Sequence, residues 1–196
     1  MKENWKPGTL VYPAPAVLVS CGTPEASNLI TVAWTGTVCT NPAMLSIAVR
    51  PERYSYGMIC STMQFTVNLT TERMARATDL CGVISGRDTD KWAASGLHPC
   101  PGVAVSCPAV EESPLSIECR VKTILPLGSH HLFLAEVVNV QADSRWLNPD
   151  TGRFELERAG LMSYSHGAYY AQGSYLGHFG FSVKKDNKVN KDKKIR

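Results

Sequence analysis

Two long alternating runs, Leu115 to Leu125 and His130 to Val140, constrain this chain more than any other feature. Apolar and polar residues alternate along both, which is the period of a strand with one buried face. Pro126-Leu-Gly-Ser129 joins them and carries the residues a tight connection needs, so the pair reads as a β-hairpin. His130 and His131 open the second run and are expected to point to opposite faces.

The rest of the chain repeats the theme on a smaller scale. Gly8 to Tyr12, Ala16 to Cys21, Ala43 to Val49 and Gln64 to Leu69 read as short strands. Gly22 to Ser27 and Thr40-Asn41-Pro42 read as turns between them. Asn28-Leu-Ile-Thr-Val-Ala-Trp34-Thr-Gly36 reads as one strand, with Asn28, Ile30, Val32 and Trp34 on a shared face. That face has a polar side chain at one end and a large aromatic at the other, which core filling alone does not require. Helices are expected to be short, over Tyr56 to Met63 and Thr71 to Leu80. Met74, Thr78 and Cys81 form the buried stripe of the second. Ala93 to Pro108, rich in Gly, Pro and Ser, reads as a covering loop. Short strands at this spacing point to a mainly β fold with short helices, a barrel or sandwich and not a βαβ protein.

A length of 196 residues suits one domain. The formal charge of +3 hides an asymmetry. Lys184 to Arg196 holds seven Lys/Arg and two Asp, leaving 13 Lys/Arg against 15 Asp/Glu in residues 1–183. The division is therefore a folded body over 1–183 and a basic, solvated tail over 184–196, with no nucleic-acid partner expected from the body. The N-terminal residues lack the apolar core of a signal peptide, and no apolar run approaches a membrane span, so the expected location is the cytoplasm. Seven cysteines with no C-x-x-C pair suit reduced, mostly buried thiols, and no metal-ligand spacing occurs. The sequon at Asn68-Leu-Thr70 is read as accidental in that setting.

Standard motifs narrow the chemistry by their absence. There is no G-x-G, no G-x-x-x-x-G-K-[ST], no H-E-x-x-H and no G-x-S-x-G. One segment does suggest ligand chemistry. Arg50-Pro51-Glu52-Arg53-Tyr54-Ser55 runs into a helix start, bringing unpaired backbone N–H groups beside two arginines and a hydroxyl. That is a competent phosphate site, or else an ordinary helix start with solvated arginines.

Taken in order, several segments resemble the flavin reductase-like, FMN-binding split-barrel family, and within it the flavoredoxin branch. They are Asn28 to Gly36, Pro42, Ser46-Ile-Ala-Val-Arg-Pro51, Arg53-Tyr-Ser55, Phe65-Thr-Val-Asn68 and Cys81-Gly-Val-Ile-Ser-Gly-Arg-Asp-Thr-Asp-Lys91. The hairpin, Tyr169-Tyr170 and Leu176-Gly-His-Phe-Gly180 complete the match, which spans roughly residues 8 to 183.

The resemblance implies a six-stranded split barrel, a homodimer, and one FMN per subunit near the subunit interface. Asn28 and Trp34 would then meet the flavin, with Thr35 and Gly36 letting the backbone approach it and Val49 beside them. Ser55 and Lys91 would hold phosphate, helped by Arg50 and the Ser85-Gly86 turn. Ser55 stands where the family often has Thr, and the hydroxyl survives that change. His130 and Tyr164 would complete the pocket, with Ser163 an alternative to Tyr164. The residue types agree, since FMN needs a dianion site, an apolar slot and donors at its polar edge. Taken singly, Trp34 also suits a core position and His130 a surface one. The implied activity is electron transfer through FMN, from NADH, NADPH or a redox protein partner to flavin or another acceptor. A non-enzymatic FMN electron carrier and a flavin-free dimeric module on the same barrel are the other readings.

Overall fold

The structure, a computed structural model, describes residues 1–183; the basic tail beginning at Lys184 lies outside the described residues. The chain runs β1 (Ala14–Pro15), β2 (Val17–Thr23), β3 (Ala26–Val32), β4 (Thr35–Cys39), β5 (Met44–Val49), α1 (Tyr54–Thr62) and β6 (Gln64–Leu69). It continues through α2 (Ala75–Val83), α3 (Lys91–Ser95), β7 (Pro99–Cys100), β8 (Ala109–Val110), β9 (Leu115–Pro126), β10 (His131–Ala142), β11 (Met162–Ser165) and β12 (Ala168–Ala171).

Seven strands form one antiparallel sheet in the order β3-β2-β6-β9-β10-β5-β4. Its two ends share a single core. Val17, Ile30 and Val32 from one end pack in one cluster with Leu45, Ile47 and Val49 from the other, around Phe65 and Phe133. Only a curled sheet permits that. The edges β3 and β4 are not paired with each other, so the curl is left split.

The outer face of β2 and β3 is also covered, because Met74 at the N-cap of α2 and Ala77 and Cys81 within it pack in one cluster with Leu18 and Leu29. Met74, Thr78 and Cys81 are all buried, as their spacing predicts. This second layer explains why β2 is buried at nearly every position instead of alternating. A small sheet, β1-β11-β12, flanks the main one.

Four expectations are corrected. Asn28 to Gly36 is not one strand: it bends at Ala33–Trp34, and the main sheet has seven strands where the resemblance implies six. The reason is topological. β3 and β4 are opposite edges of the sheet, so the chain between them must cross the split, and a straight strand cannot do so. The Trp34 carbonyl accepts from Ala48 N–H at 2.9 Å, on β5 at the far side. Gly8 to Tyr12 forms no strand, because no neighbouring ladder receives its backbone; pairing begins at Ala14 opposite Tyr164. Ala93 to Pro108 is more regular than expected, holding the end of α3 and the strand β7, which pairs with β8 just beyond it.

Among the seven cysteines none is paired; Cys21, Cys81, Cys107 and Cys119 are buried. Among the described residues no helix is long and apolar enough to cross a membrane.

Candidate functional site

Two adjoining cavities open along the split. The smaller, about 190 Å³, lies where the start of α1 meets the α2–α3 connection, with Asn28 and Ile30 of β3 as its floor. The larger, about 440 Å³, lies between β3 and β5 and is roofed by His130 and by tyrosines from the small sheet. Ile30 and Arg53 border both, so the two lie side by side.

The smaller cavity is built for an anion. α1 starts with Arg53 at its N-cap, with no side-chain cap and no acidic residue in its first turn. Its first residues, Tyr54 and Ser55, line the cavity, so the positive end of the helix faces in. Ser55 is buried and accepts from Asn28 Nδ2 at 2.7 Å, which ties α1 to β3. Lys91 is only 5% exposed. Its Nζ donates to the Cys81 carbonyl at 2.7 Å, and no carboxylate pairs with it among the described residues. Burial, chiefly, pulls its pKa below the ordinary lysine value. A buried ammonium without a counter-charge, beside hydroxyls and a helix N-terminus, fits a phosphate dianion.

Local sequence explains how Lys91 arrives there. Asp90 caps α3 by accepting from Trp92 N–H at 2.9 Å, and Trp92 Nε1 donates to Ser27 Oγ at 3.0 Å, pinning the short helix to β3. Lys91, the first residue of α3, is thereby turned into the cavity. Gly86 leaves room for Asn28: a Cβ there would lie 2.3 Å from Asn28 Oδ1.

The larger cavity is a slot with aromatic walls. Trp34 and His130 pack together with ring centroids 4.4 Å apart and planes tilted by 49°. His130 is delivered by the β9–β10 turn, where Gly128 takes φ +92° and Leu127 N–H donates to the His130 carbonyl at 2.9 Å. Burial first, then the nearby Arg50 cation, holds the His130 pKa below the usual imidazole value, so the ring is neutral at pH 7. Across the slot, Tyr164 packs edge-on against Tyr12 at 6.0 Å and Tyr169 at 5.5 Å. Burial and the neighbouring Asp79 push the Tyr169 phenol up to about 12, so it stays a proton donor. Val49 and Ala48 supply the apolar side.

The structure thus divides the residues singled out from the sequence. Asn28, Ser55, Ser85, Gly86 and Lys91 line the smaller cavity, and Trp34, Val49, Arg50, His130 and Tyr164 the larger. Asn28 and Trp34 are therefore at different cavities. Thr35 and Gly36 line neither: Thr35 Oγ1 donates to the Ser46 carbonyl at 2.8 Å, and the Gly36 Cβ position faces open space. Tyr164 faces the slot, whereas Ser163 lines a different hollow on the other side of β11. Arg53, Tyr12 and Tyr169 are additional wall residues. Arg53 stood beside Ser55 in the helix-start motif, but nothing in the sequence marks Tyr12.

A curled antiparallel sheet split at one seam, with an anion cavity and an aromatic slot side by side along it, defines a split-barrel protein. The flavin reductase like domain matches residues 9–173, and the chain belongs to that family. It superposes on the flavoredoxin of Desulfovibrio vulgaris (Miyazaki F) with a TM-score of 0.86 and 29% identity, covering 94% of this chain and 100% of the other. Flavoredoxin from Methanosarcina acetivorans gives 0.85 and 25%, with the same coverages. An uncharacterized protein of Archaeoglobus fulgidus is 27% identical over 130 residues, 66% of this chain and 73% of that relative. Family membership supports a flavin-linked redox role.

Proposed function

We propose that this protein is an FMN-binding oxidoreductase of the flavin reductase/flavoredoxin type, working as a homodimer. The observation that carries this is the adjacency of the two cavities across Ile30 and Arg53: one fits a phosphate dianion and the other a flat apolar ring. Lys91, Ser55, Arg53, the Ser85-Gly86 turn and the first turn of α1 would hold the phosphate. Trp34, Val49, His130 and Tyr164 would hold the ring, with neutral His130 a candidate donor to its polar edge. The flavin would supply the redox chemistry; these side chains bind it, orient it and exclude water. Electrons would come from NADH, NADPH or a redox protein partner and pass to flavin or another acceptor.

The homodimer is supported by apolar surface that the described residues leave exposed. Trp5 and Val11 near the start are 79% and 93% exposed, and Leu176 and Phe179 are 90% and 105% exposed.

The visible spectrum of the purified protein, with and without added FMN, is the direct test. Protein that stays colourless after incubation with FMN overturns the proposal. Bleaching of bound flavin by NADH or NADPH supports the enzyme; bleaching only by a reduced protein donor supports the electron carrier. Lys91→Ala should weaken FMN binding by roughly 1.5–3 kcal/mol, the worth of one hydrogen bond to a charged group. Fluorescence titration reads the change, and equal affinity removes Lys91 from the phosphate site. Because burial lowers the Lys91 pKa, its ammonium is lost below pH 10.5, the ordinary lysine value, when the cavity is empty. FMN affinity should accordingly fall as pH rises toward that value, and the slope should flatten in Lys91→Ala.

A further inference from the structure

We propose that a third cavity, on the side of α2 away from the seam, is a binding site for an organic anion with an apolar, planar body. It is the largest of the hollows described, about 640 Å³, within the range of small-molecule sites. α2 separates it from the seam: Met74, Ala77 and Leu80 face it, whereas Asp79, Gly82 and Val83 face the aromatic slot.

Its floor and its rim differ in chemistry. Met74, Ala77 and Leu97 give an apolar floor that continues the second core cluster, and the half-buried Trp146 supplies a flat wall. Four arginines, Arg73, Arg76, Arg145 and Arg158, stand around it. Arg145 is held by Asp143, with Nε to Oδ2 at 2.7 Å, and Arg158 by Glu155, so their guanidinium groups are oriented while their side chains stay 69% and 67% exposed. Arg73 and Arg76 have no ion pair among the described residues. Two carboxylates also line the cavity. Glu112 is committed to His98, through Nδ1 at 2.6 Å and the backbone N–H at 3.1 Å, and Asp143 and Glu155 answer Arg145 and Arg158, which leaves Glu72 beside the two unpaired guanidinium groups of Arg73 and Arg76.

Two unpaired guanidinium groups at the rim of an apolar floor with one aromatic wall select a ligand that carries both features. An inorganic anion would leave the floor wet, and a neutral ring would leave the guanidinium groups unanswered. Aryl carboxylates are the simplest class that satisfies both.

The test is calorimetric titration of the full-length, FMN-incubated protein with 2-naphthoate, alongside acetate and 2-naphthalenemethanol. One-to-one saturable binding of naphthoate is expected, weakening with added salt, with each control binding at least about tenfold more weakly. Arg73 and Arg76 are surface residues, so Arg73→Ala/Arg76→Ala should fold normally by circular dichroism and lose naphthoate affinity by about tenfold or more. Its FMN affinity should match the parent's, because neither arginine lines the seam. Failure of naphthoate to saturate overturns the proposal, as does parent-like binding by the double variant. Competition between naphthoate and FMN would place the ligand in the seam and overturn it too. Naphthoate saturation and its loss in the double variant are read without reference to FMN, so they stand whether or not FMN is the native cofactor.

Discussion

Glu118 carries a carboxylate into the core at no exposure, and its oxygens accept five hydrogen bonds that explain why it is tolerated. Val103, Ala104 and Val105 donate from the covering loop, Asn139 and Gln141 from β10. Burial opposes ionisation, but these donors outweigh it and hold the carboxyl below its ordinary value of 4.5. One side chain therefore staples residues 103–105 to the sheet. Glu118→Gln presents an amide to donors and should cost roughly 2–4 kcal/mol in urea unfolding. The lowered folded pKa means this stabilisation is complete above the unfolded value and fades as pH falls through the folded one. The parent's urea midpoint should thus drop more steeply in acid than the variant's, and parallel curves would refute the account. At Gly86 the issue is space. A methyl group there must displace the Asn28 amide from Ser55, so Gly86→Ala should cost about 1–3 kcal/mol. It should also weaken FMN binding, read by fluorescence titration.

At the scale of elements, position is set by short pieces pinned at their ends. α3 has five residues, too few to persist on helix propensity, and depends on the Asp90 cap and the Trp92 to Ser27 bond. Asp90→Ala should cost about 1 kcal/mol of stability. Because Lys91 is the first residue of that helix, the same substitution should also weaken FMN binding without touching the cavity wall. A stability loss with unchanged FMN affinity would show that Lys91 is held by the Cys81 carbonyl alone. The β9–β10 hairpin works differently. Its length and alternation lock the register, apart from irregularities at Leu134/Ala135 and Val137/Asn139, and its turn sets His130 on Trp34. The bend at Ala33–Trp34 completes that pair from the other side of the split.

For the whole molecule, the terminal segments matter most. Large apolar side chains there, including Trp5, Leu176 and Phe179, are largely exposed among the described residues. Light scattering should give twice the 21.4 kDa chain mass, and removing residues 1–11 should shift the population toward monomer. A parent that is monomeric at micromolar concentration would exclude the homodimer.

Much of this architecture is legible in the sequence because its causes are local. The hairpin, the short strands, the Met74-Thr78-Cys81 stripe and the helix-start motif at Arg53–Ser55 follow from period, turn chemistry and capping. The resemblance added the order in which those pieces assemble and most of the seam residues. Non-local facts were out of reach. That Asn28 to Gly36 must bend follows from β3 and β4 being opposite edges of a curled sheet, which no local pattern encodes. Tyr12 joins the aromatic slot only because β1 pairs with β11, some 150 residues away. The sequence determined which segments could pair and which side chains could hold a charge or a ring. The tertiary structure alone decided which of them meet, because curling the sheet brings distant edges to one seam.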